Sequence, residues 1–450
     1  MAHDPADGVK DMGLAEEGRE QIALAEANMG ALVELGERFA AERPFAGRRL
    51  AVNLHVTKET AVLVRVLKKG GAERIALMGC NAFSTQDAVA AALADEGIEV
   101  FAKHGCDTAQ YYRDIERVLE VRPHVIVDDG CDLVVGIHEK GEEYVKGVIG
   151  SCEQTTSGVI RARNMTASGA LRFPLVATNE NKTKHLLDNY YGTGQSSWDG
   201  IMRSTAMFCA AKTAVCIGYG ACGKGIALRA KGLGAQVVVC EVHPFRALQA
   251  LYDGHQVMPM AEAAARGDVF CSATGSKHVI SAEHIRKMKP GAMICNAGQF
   301  DYEIDLKGLR AMQARPTPAL RRRRMPPPPR PPPAARAQVG ESRFPRPHME
   351  EVRLDSGKHV YLLGGGNLVN LSCAEGHPSE VMATSFLGQA LACEYIVKSA
   401  ASLPPGITNL PEEIDDRIAA LQLGALGVSI DAPTAEQEAY AKSWREGTCD

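Results

Sequence analysis

Four groups of residues in this chain have the types and spacing to do chemistry. Gly218-Tyr-Gly220-Ala-Cys-Gly223 follows the apolar run Thr213–Ile217 and opens a helical stretch through Ala227 and Ala230. Gly218 suits a tight turn, Gly220 lets backbone approach a pyrophosphate, and Gly223 lets helix and strand pack closely. Glu241 closes the next apolar run, where a carboxylate can accept both hydroxyls of an adenosine ribose. That carboxylate repels a 2′-phosphate, so NAD is expected over NADP, with Arg246 nearby as the counter-signal. In Thr183-Lys184-His185-Leu-Leu-Asp188-Asn189, a helix would set Lys184 and Asp188 at i, i+4 on one face. Such a pair is either a solvated surface bridge or, at a hinge, a relay for an alcohol proton during hydride transfer. Asp128-Asp129-Gly130 and Asn53-Leu54-His55 each end an apolar run, and open α/β sheets bind ligands at the carboxyl ends of their strands. Taken singly, Asp129 also reads as a helix-capping loop acid and His55 as a structural histidine.

The elements that must position these residues alternate. Arg49–Leu54, Arg74–Met78, Glu99–Phe101 and His124–Val127 read as buried strands, with helices over 57–69, 84–96 and 108–120 between them and a longer helix over 10–45 before them. The rhythm restarts with strands at Thr213–Ile217, Gln236–Cys240, Val269–Ser272 and Ala292–Cys295. The fold class is therefore α/β, with two doubly wound parallel-sheet domains. The boundaries expected are 1–189 for the first domain, 190–375 for the second, 376–402 for a return and hinge, and 403–450 for a short C-terminal extension. Residues 315–347 interrupt the pattern with eleven of the 23 prolines beside Arg321–Arg324. They are expected to be a disordered insertion, since the segment lacks backbone donors and apolar surface; a polyproline ligand or basic docking arm is the functional alternative.

Composition limits the function. With 450 residues, 45% hydrophobic and 23% charged, the chain is too apolar for wholesale disorder. Nine arginines against the single acid Glu341 leave residues 314–347 at +8, so the remaining chain stands at −12 against the formal −4 of the whole. An acidic body gives no support to nucleic-acid binding. No run approaches the roughly 18 apolar residues of a membrane span, and Met1–Lys10 reads as no secretory leader. Thirteen cysteines without a C-x-x-C spacing speak for reduced thiols in a cytoplasmic enzyme, with no disulfide framework and no metal expected.

Eight strings together resemble the S-adenosyl-L-homocysteine hydrolase family, in its short-tailed form, over nearly the whole chain. They are Asn53-Leu-His-Val-Thr-Lys-Glu-Thr60, Cys80-Asn-Ala-Phe-Ser-Thr-Gln-Asp87, Asp128-Asp-Gly-Cys-Asp132, Tyr191-Gly-Thr-Gly-Gln195, Gly218-Tyr-Gly-Ala-Cys-Gly-Lys-Gly225, Asn296-Ala-Gly-Gln-Phe300, Leu368-Val-Asn370 and Gly376-His-Pro-Ser379. The resemblance implies a substrate domain and a Rossmann NAD domain closing as a clamp, a homotetramer, and a nucleoside thioether as substrate. It implies hydrolysis to adenosine and homocysteine through 3′-oxidation, β-elimination, water addition and re-reduction.

By the same resemblance Lys184 and Asp188 handle the 3′-hydroxyl proton, and His55 and Asp129 serve acid/base steps around the 5′ carbon. Thr57 and Glu59 sit at adenine, with Gln154, Gln299, His377, Met382 and Phe386 completing the substrate site. Thr155, Thr156, Ser157, Asn189, Ala221, Cys222, Lys224, Gly225, Arg246, Ala297, Gly298 and Asn370 join Gly218, Gly220, Gly223 and Glu241 at the cofactor. Three departures stand out: Gln154 where the family has glutamate, Gln299 where it has histidine, and Gly364-Gly-Gly-Asn367 for Ala-Glu-Gly-Arg. They leave open a catalytically weak NAD- and nucleoside-binding regulator. Hydrolysis of S-inosyl-L-homocysteine, or a dehydrogenase with net cofactor turnover, is the other alternative.

Overall fold

A computed structural model describes residues 5–314, 342–445 and 447. Six strands of the first sheet come early: β1 (Arg49–Leu54), β2 (Arg74–Gly79), β3 (Glu99–Phe101), β4 (Val125–Asp128), β5 (Gly150–Glu153) and β6 (Pro174–Val176). The second sheet takes β7 (Thr213–Ile217), β8 (Gln236–Cys240), β9 (Gln256–Val257), β10 (Val269–Ser272), β11 (Ala292–Asn296), β12 (Arg343–Arg346), β13 (Met349–Arg353) and β14 (His359–Leu363). β15 (Gly406–Thr408) returns to the first. The orders are β15-β6-β5-β4-β1-β2-β3 and β12-β13-β14-β11-β10-β7-β8-β9.

Both sheets are covered on both faces. In β1, Leu50, Val52 and Leu54 enter one core and Ala51 the opposite one. In β7, Ala214 and Cys216 face one core while Val215 and Ile217 face the other. Near-continuous apolar runs are what a parallel strand buried on two sides needs. The first sheet is parallel throughout; the second is parallel except where β12 and β13 add an antiparallel edge. Each order reverses once between strands that began a half, β1/β4 and β7/β10. Crevices open there, outside the carboxyl ends.

Four expectations change. The single helix over 10–45 is two helices, Ala15–Ala27 and Gly30–Glu42, because Met29 leaves helical geometry (φ −122°, ψ 39°) between them. The insertion ends sooner than Pro347: 315–341 lie outside the described residues, but Arg343–Arg346 pairs with β13, Arg343 opposite Glu351 and Arg346 opposite Met349. Pro345 is tolerated because β12 is an edge strand with no neighbour to receive its missing N–H. Arg346 Nε also donates to the Ser204 carbonyl at 2.9 Å. The extension is not separate from its start: β15 pairs in register with β6, Ile407 opposite Leu175, and the helix Glu412–Ala425 buries Ile418 in the first core. From Leu426 to Trp444 the chain is exposed. Finally, Lys184–Gly192 is a π-helix running into the α-helix Thr193–Thr205, which alters the neighbours of Lys184.

Candidate active site

A cavity of about 900 Å³ is lined by the carboxyl ends of both sheets. His55 and Asp129 come from the β1/β4 reversal, and Gly218 from the end of β7 beside β10. Of the residues expected at the site, only Gly223, Lys224 and Gly225 do not line it. They lie at the start of the helix Ala221–Gly232, Gly223 and Gly225 buried against the Gly218 and Tyr190 carbonyls and Lys224 half-buried on the other side of the helix start, where it lines a second pocket. A Cβ on Gly223 would overlap the Gly218 carbonyl, and Lys224 lies 5.9 Å over the Tyr219 ring.

At the β1/β4 end, His55 Nε2 is 3.6 Å from Asp129 Oδ2. The other ring nitrogen, Nδ1, meets Ser84 Oγ at 2.7 Å and Cys80 Sγ at 3.2 Å. Burial, then the adjacent His377, lowers His55 to about 4, while burial pushes Asp129 up to about 7 against the pull of the Lys184 ammonium. Near neutrality His55 is thus an uncharged base, and Asp129 is poised to give or take a proton. Asp128 does different work. Its carboxylate accepts from Asn53 Nδ2 at 2.8 Å and from the Asp129 and Val134 backbone N–H groups at 3.0 and 2.9 Å, bracing the turn that presents Asp129.

Across the cavity, Lys184 is buried rather than a surface bridge. Its Nζ donates to Asn189 Oδ1 at 2.6 Å and Asn179 Oδ1 at 3.2 Å, with Asp188 Oδ1 at 3.7 Å. A π-helix brings i and i+5 together, so Asn189 takes the position a regular helix would give Asp188. Asp188 turns to His377 Nδ1 at 3.2 Å. Burial alone would raise this carboxyl; Lys184 and His377 outweigh it and hold Asp188 well below the usual range.

Beyond the helix start, Glu59 Oε1 accepts from Ser379 Oγ at 2.7 Å and lies 3.3 Å from Lys58 Nζ. Thr57, Met382 and Phe386 line the same end. The Gln154 amide is engaged on both sides, donating to Ser385 Oγ and accepting from Gln389 Nε2, each at 2.7 Å. Gln299, from the loop after β11, reaches across to the Asp129 carbonyl at 3.4 Å, joining the two domains.

The second sheet's crevice fits a dinucleotide. Gly218 sits at φ +94°, where a side chain would be strained and would meet the Ala273 carbonyl. Gly220 caps the helix Ala221–Gly232 with no side chain, leaving its first N–H groups free for a phosphate. Glu241 accepts from the N–H groups of Tyr219, Val242 and His243 at 2.8, 2.7 and 2.9 Å. Burial alone would raise it, but those donors hold it below the usual carboxylate range, an ionised acceptor with lone pairs left for ribose hydroxyls. Ser157 Oγ and Asn370 Oδ1, both in the cavity wall, are buried without partners. Thr155, Thr156, Ala221, Cys222, Arg246, Ala297 and Gly298 share that wall.

Three contributors escaped the sequence reading. Asn179 stands five residues before Lys184, with no local signal beyond its polarity. Cys80 was visible only inside a longer string. Glu303, fully buried, accepts from the Thr274 and Gly275 N–H groups at 3.0 and 2.7 Å and shapes the cavity loop after β10; its signal was an acid just beyond Asn296–Phe300.

Comparison with known proteins gives the family. Residues 7–146 match a family model described as S-adenosyl-L-homocysteine hydrolase, and residues 189–322 match that of its NAD binding domain. The adenosylhomocysteinase of Gloeobacter violaceus is 48% identical over 441 residues, covering 98% of this chain and 97% of that protein. That of Sulfolobus acidocaldarius is 48% identical over 440 residues, covering 98% and 99%. The S-inosyl-L-homocysteine hydrolase of Methanopyrus kandleri is 44% identical over 442 residues, covering 98% of each. Likeness at this level along almost the entire length means that the chain belongs to the S-adenosyl-L-homocysteine hydrolase family and that its second domain binds NAD.

Proposed function

We propose that this enzyme reversibly hydrolyses S-adenosyl-L-homocysteine to adenosine and L-homocysteine. The observation that carries the reading is the convergence of Lys184 and the His55–Asp129 pair on one cavity shared with the dinucleotide cradle. Lys184, fixed by Asn179 and Asn189, and Asp188 beside it handle the proton of the ribose 3′-hydroxyl, the lysine accepting it as the neutral amine, and His377 keeps the charge on Asp188 balanced. NAD, when bound, supplies the hydride chemistry of the oxidation and of the final reduction. A 3′-ketone makes the neighbouring C4′ proton acidic, so the His55–Asp129 pair can take it as the C5′–S bond breaks and the thiol leaves. His55 and Asp129 move protons there, first to the departing sulfur and then from the water that adds. Thr155, Thr156, Ser157, Asn189, Asn370 and Glu241 hold the cofactor.

Glu59 selects the base. With Oε1 occupied by Ser379 and Lys58, Oε2 remains an acceptor suited to the exocyclic amine of adenine, whereas hypoxanthine offers a carbonyl oxygen. On the same reading the enzyme is a cytoplasmic homotetramer of the methyl cycle. The twelve described cysteines are all free thiols, among the described residues no helix is long and apolar enough to cross a membrane, and Phe245, Leu251 and Tyr252 offer exposed apolar surface for subunit contact.

The experiment is adenosine and thiol release from S-adenosyl-L-homocysteine by purified protein, with the bound nucleotide identified after denaturation. Release together with recovered NAD is expected. Bound NAD without release would favour the regulatory alternative.

A further inference from the structure

A continuous run of hydrogen bonds leads from the end of β5 to Asp188. Cys152 Sγ donates to Gln389 Oε1 at 2.8 Å, Gln389 Nε2 donates to Gln154 Oε1 at 2.7 Å, and Gln154 Nε2 donates to Ser385 Oγ at 2.7 Å. Ser385 and Gln389 stand one turn apart on the helix Ser379–Ser399. Cys152, Ser385 and Gln389 are fully buried and Gln154 nearly so. The run has a direction. Burial, together with the neighbouring Cys393 Sγ, pushes the Cys152 thiol well up, so it keeps its proton and donates. A thiol is a weak acceptor, so Gln389 turns its oxygen to the sulfur and its amide to Gln154. Gln154, its oxygen thus engaged, offers N–H to Ser385, whose own proton must leave on the other side. There it meets Asp188. Burial works against ionisation of that carboxyl, but Lys184, His377 and then the Ser385 hydroxyl hold it well below the usual range. Asp188 Oδ1 is 3.7 Å from Lys184 Nζ.

We propose that Gln154 is a positioning residue: by donating to Ser385 Oγ it aims that hydroxyl at Asp188, and so leaves Lys184 able to take the 3′-hydroxyl proton as the neutral amine. That role rests on those given above to Lys184 and Asp188. A glutamate at 154, as the family has, is acceptor-only when ionised, and Ser385 would turn its proton toward it. Asp188 would lose a donor, its charge would be less dispersed, and the proton on Lys184 would be held more tightly. The amide at 154 therefore favours the proton-accepting state of Lys184 and is no mark of an inactive homologue. The titratable groups that face Lys184 and Asp188 are His55, Asp129, His185, Cys222 and His377, and none of them changes in the variants below.

The test uses the NAD-loaded full chain. Acetic anhydride labelling across pH, read by peptide mass spectrometry, reports where Lys184 loses its proton without depending on turnover. Bound NADH formed from adenosine gives a second pH profile. Relative to wild type, Ser385→Ala should move both midpoints up by roughly half to one pH unit, the order by which one hydrogen bond shifts a carboxylate. Gln154→Glu should move them further, because it also adds charge. On the Ser385→Ala background Gln154→Glu should add less than it does on wild type, since the hydroxyl it would redirect is gone. Retained bound NAD in each variant reports folding, and either single variant can be set against wild type. An unmoved labelling midpoint in Ser385→Ala overturns the link to Asp188. Equal increments on the two backgrounds overturn the action of Gln154 through Ser385. Shifted labelling with no NADH formed by wild type sustains the link and overturns the 3′-oxidation read for this site.

Discussion

Lys184 Nζ donates to Asn189 Oδ1 at 2.6 Å, five residues further along the same segment. That contact exists because residues 184–192 wind as a π-helix, and it aims a buried ammonium into the cavity instead of along the helix surface.

Lys184→Ala is expected to lower 3′-oxidation by about 10²–10⁴-fold while nucleoside binding persists, because the lysine acts on a proton that moves only with the hydride. Asn189→Ala, which loosens the ammonium without removing it, should cost roughly tenfold to a hundredfold, the range for a lost hydrogen bond to a charged group. Absorbance of bound NADH after adding adenosine measures both. Unchanged absorbance in Lys184→Ala would return the lysine to a structural role.

Asp129 links stability to pH. Its carboxyl is raised from the unfolded value of about 3.9 to about 7, so between those values the folded state holds a proton that the unfolded state has released. Stability due to this group is full below pH 4, falls as pH rises to 7, and then levels off. Three units correspond to at most about 4 kcal/mol. Asp129→Asn should therefore be more stable than wild type at pH 8, with the difference closing toward pH 4, by urea denaturation at each pH. A gap that widened on acidification would contradict the burial argument.

Glu241→Ala should lose the cofactor. Two ribose hydroxyls would forfeit a charged acceptor, each such bond being worth about 1.5–3 kcal/mol, so NAD affinity should drop at least about 100-fold. Nucleotide recovered after denaturing equal amounts of mutant and wild type is the measurement; equal recovery would mean that the carboxylate only braces its loop through Tyr219, Val242 and His243.

Glu59 sets the base preference. S-adenosyl-L-homocysteine should exceed its inosyl analogue in kcat/KM by roughly tenfold to a hundredfold, and Glu59→Gln should narrow the gap because an amide serves either base. Equal or reversed preference in wild type would show that Glu59 does not reach the purine.

The sequence alone determined whatever depends on neighbours within a few residues. Strands β1, β3, β7, β8 and β10 begin and end where the apolar runs do, because a buried parallel strand must be apolar on both faces. The turn at Gly218 and the carboxylate at Glu241 were legible because glycine alone tolerates that backbone, and because the acid closes the next strand of the same unit. Short β5, β6 and β15 went unread; three or four residues carry too little pattern, and β15 becomes a strand only by pairing with β6 across more than 200 residues. Tertiary structure decided the rest of the site. Strand order brings His55, Cys80 and Asp129 together, the π-helix gives Lys184 to Asn189 rather than Asp188, and the antiparallel hairpin at the second sheet's edge turns the end of a proline-rich stretch into β12. Each is a contact between groups whose sequence separation or helical register is free to vary until the sheets and helices pack, and packing is where the free energy of burial makes the choice.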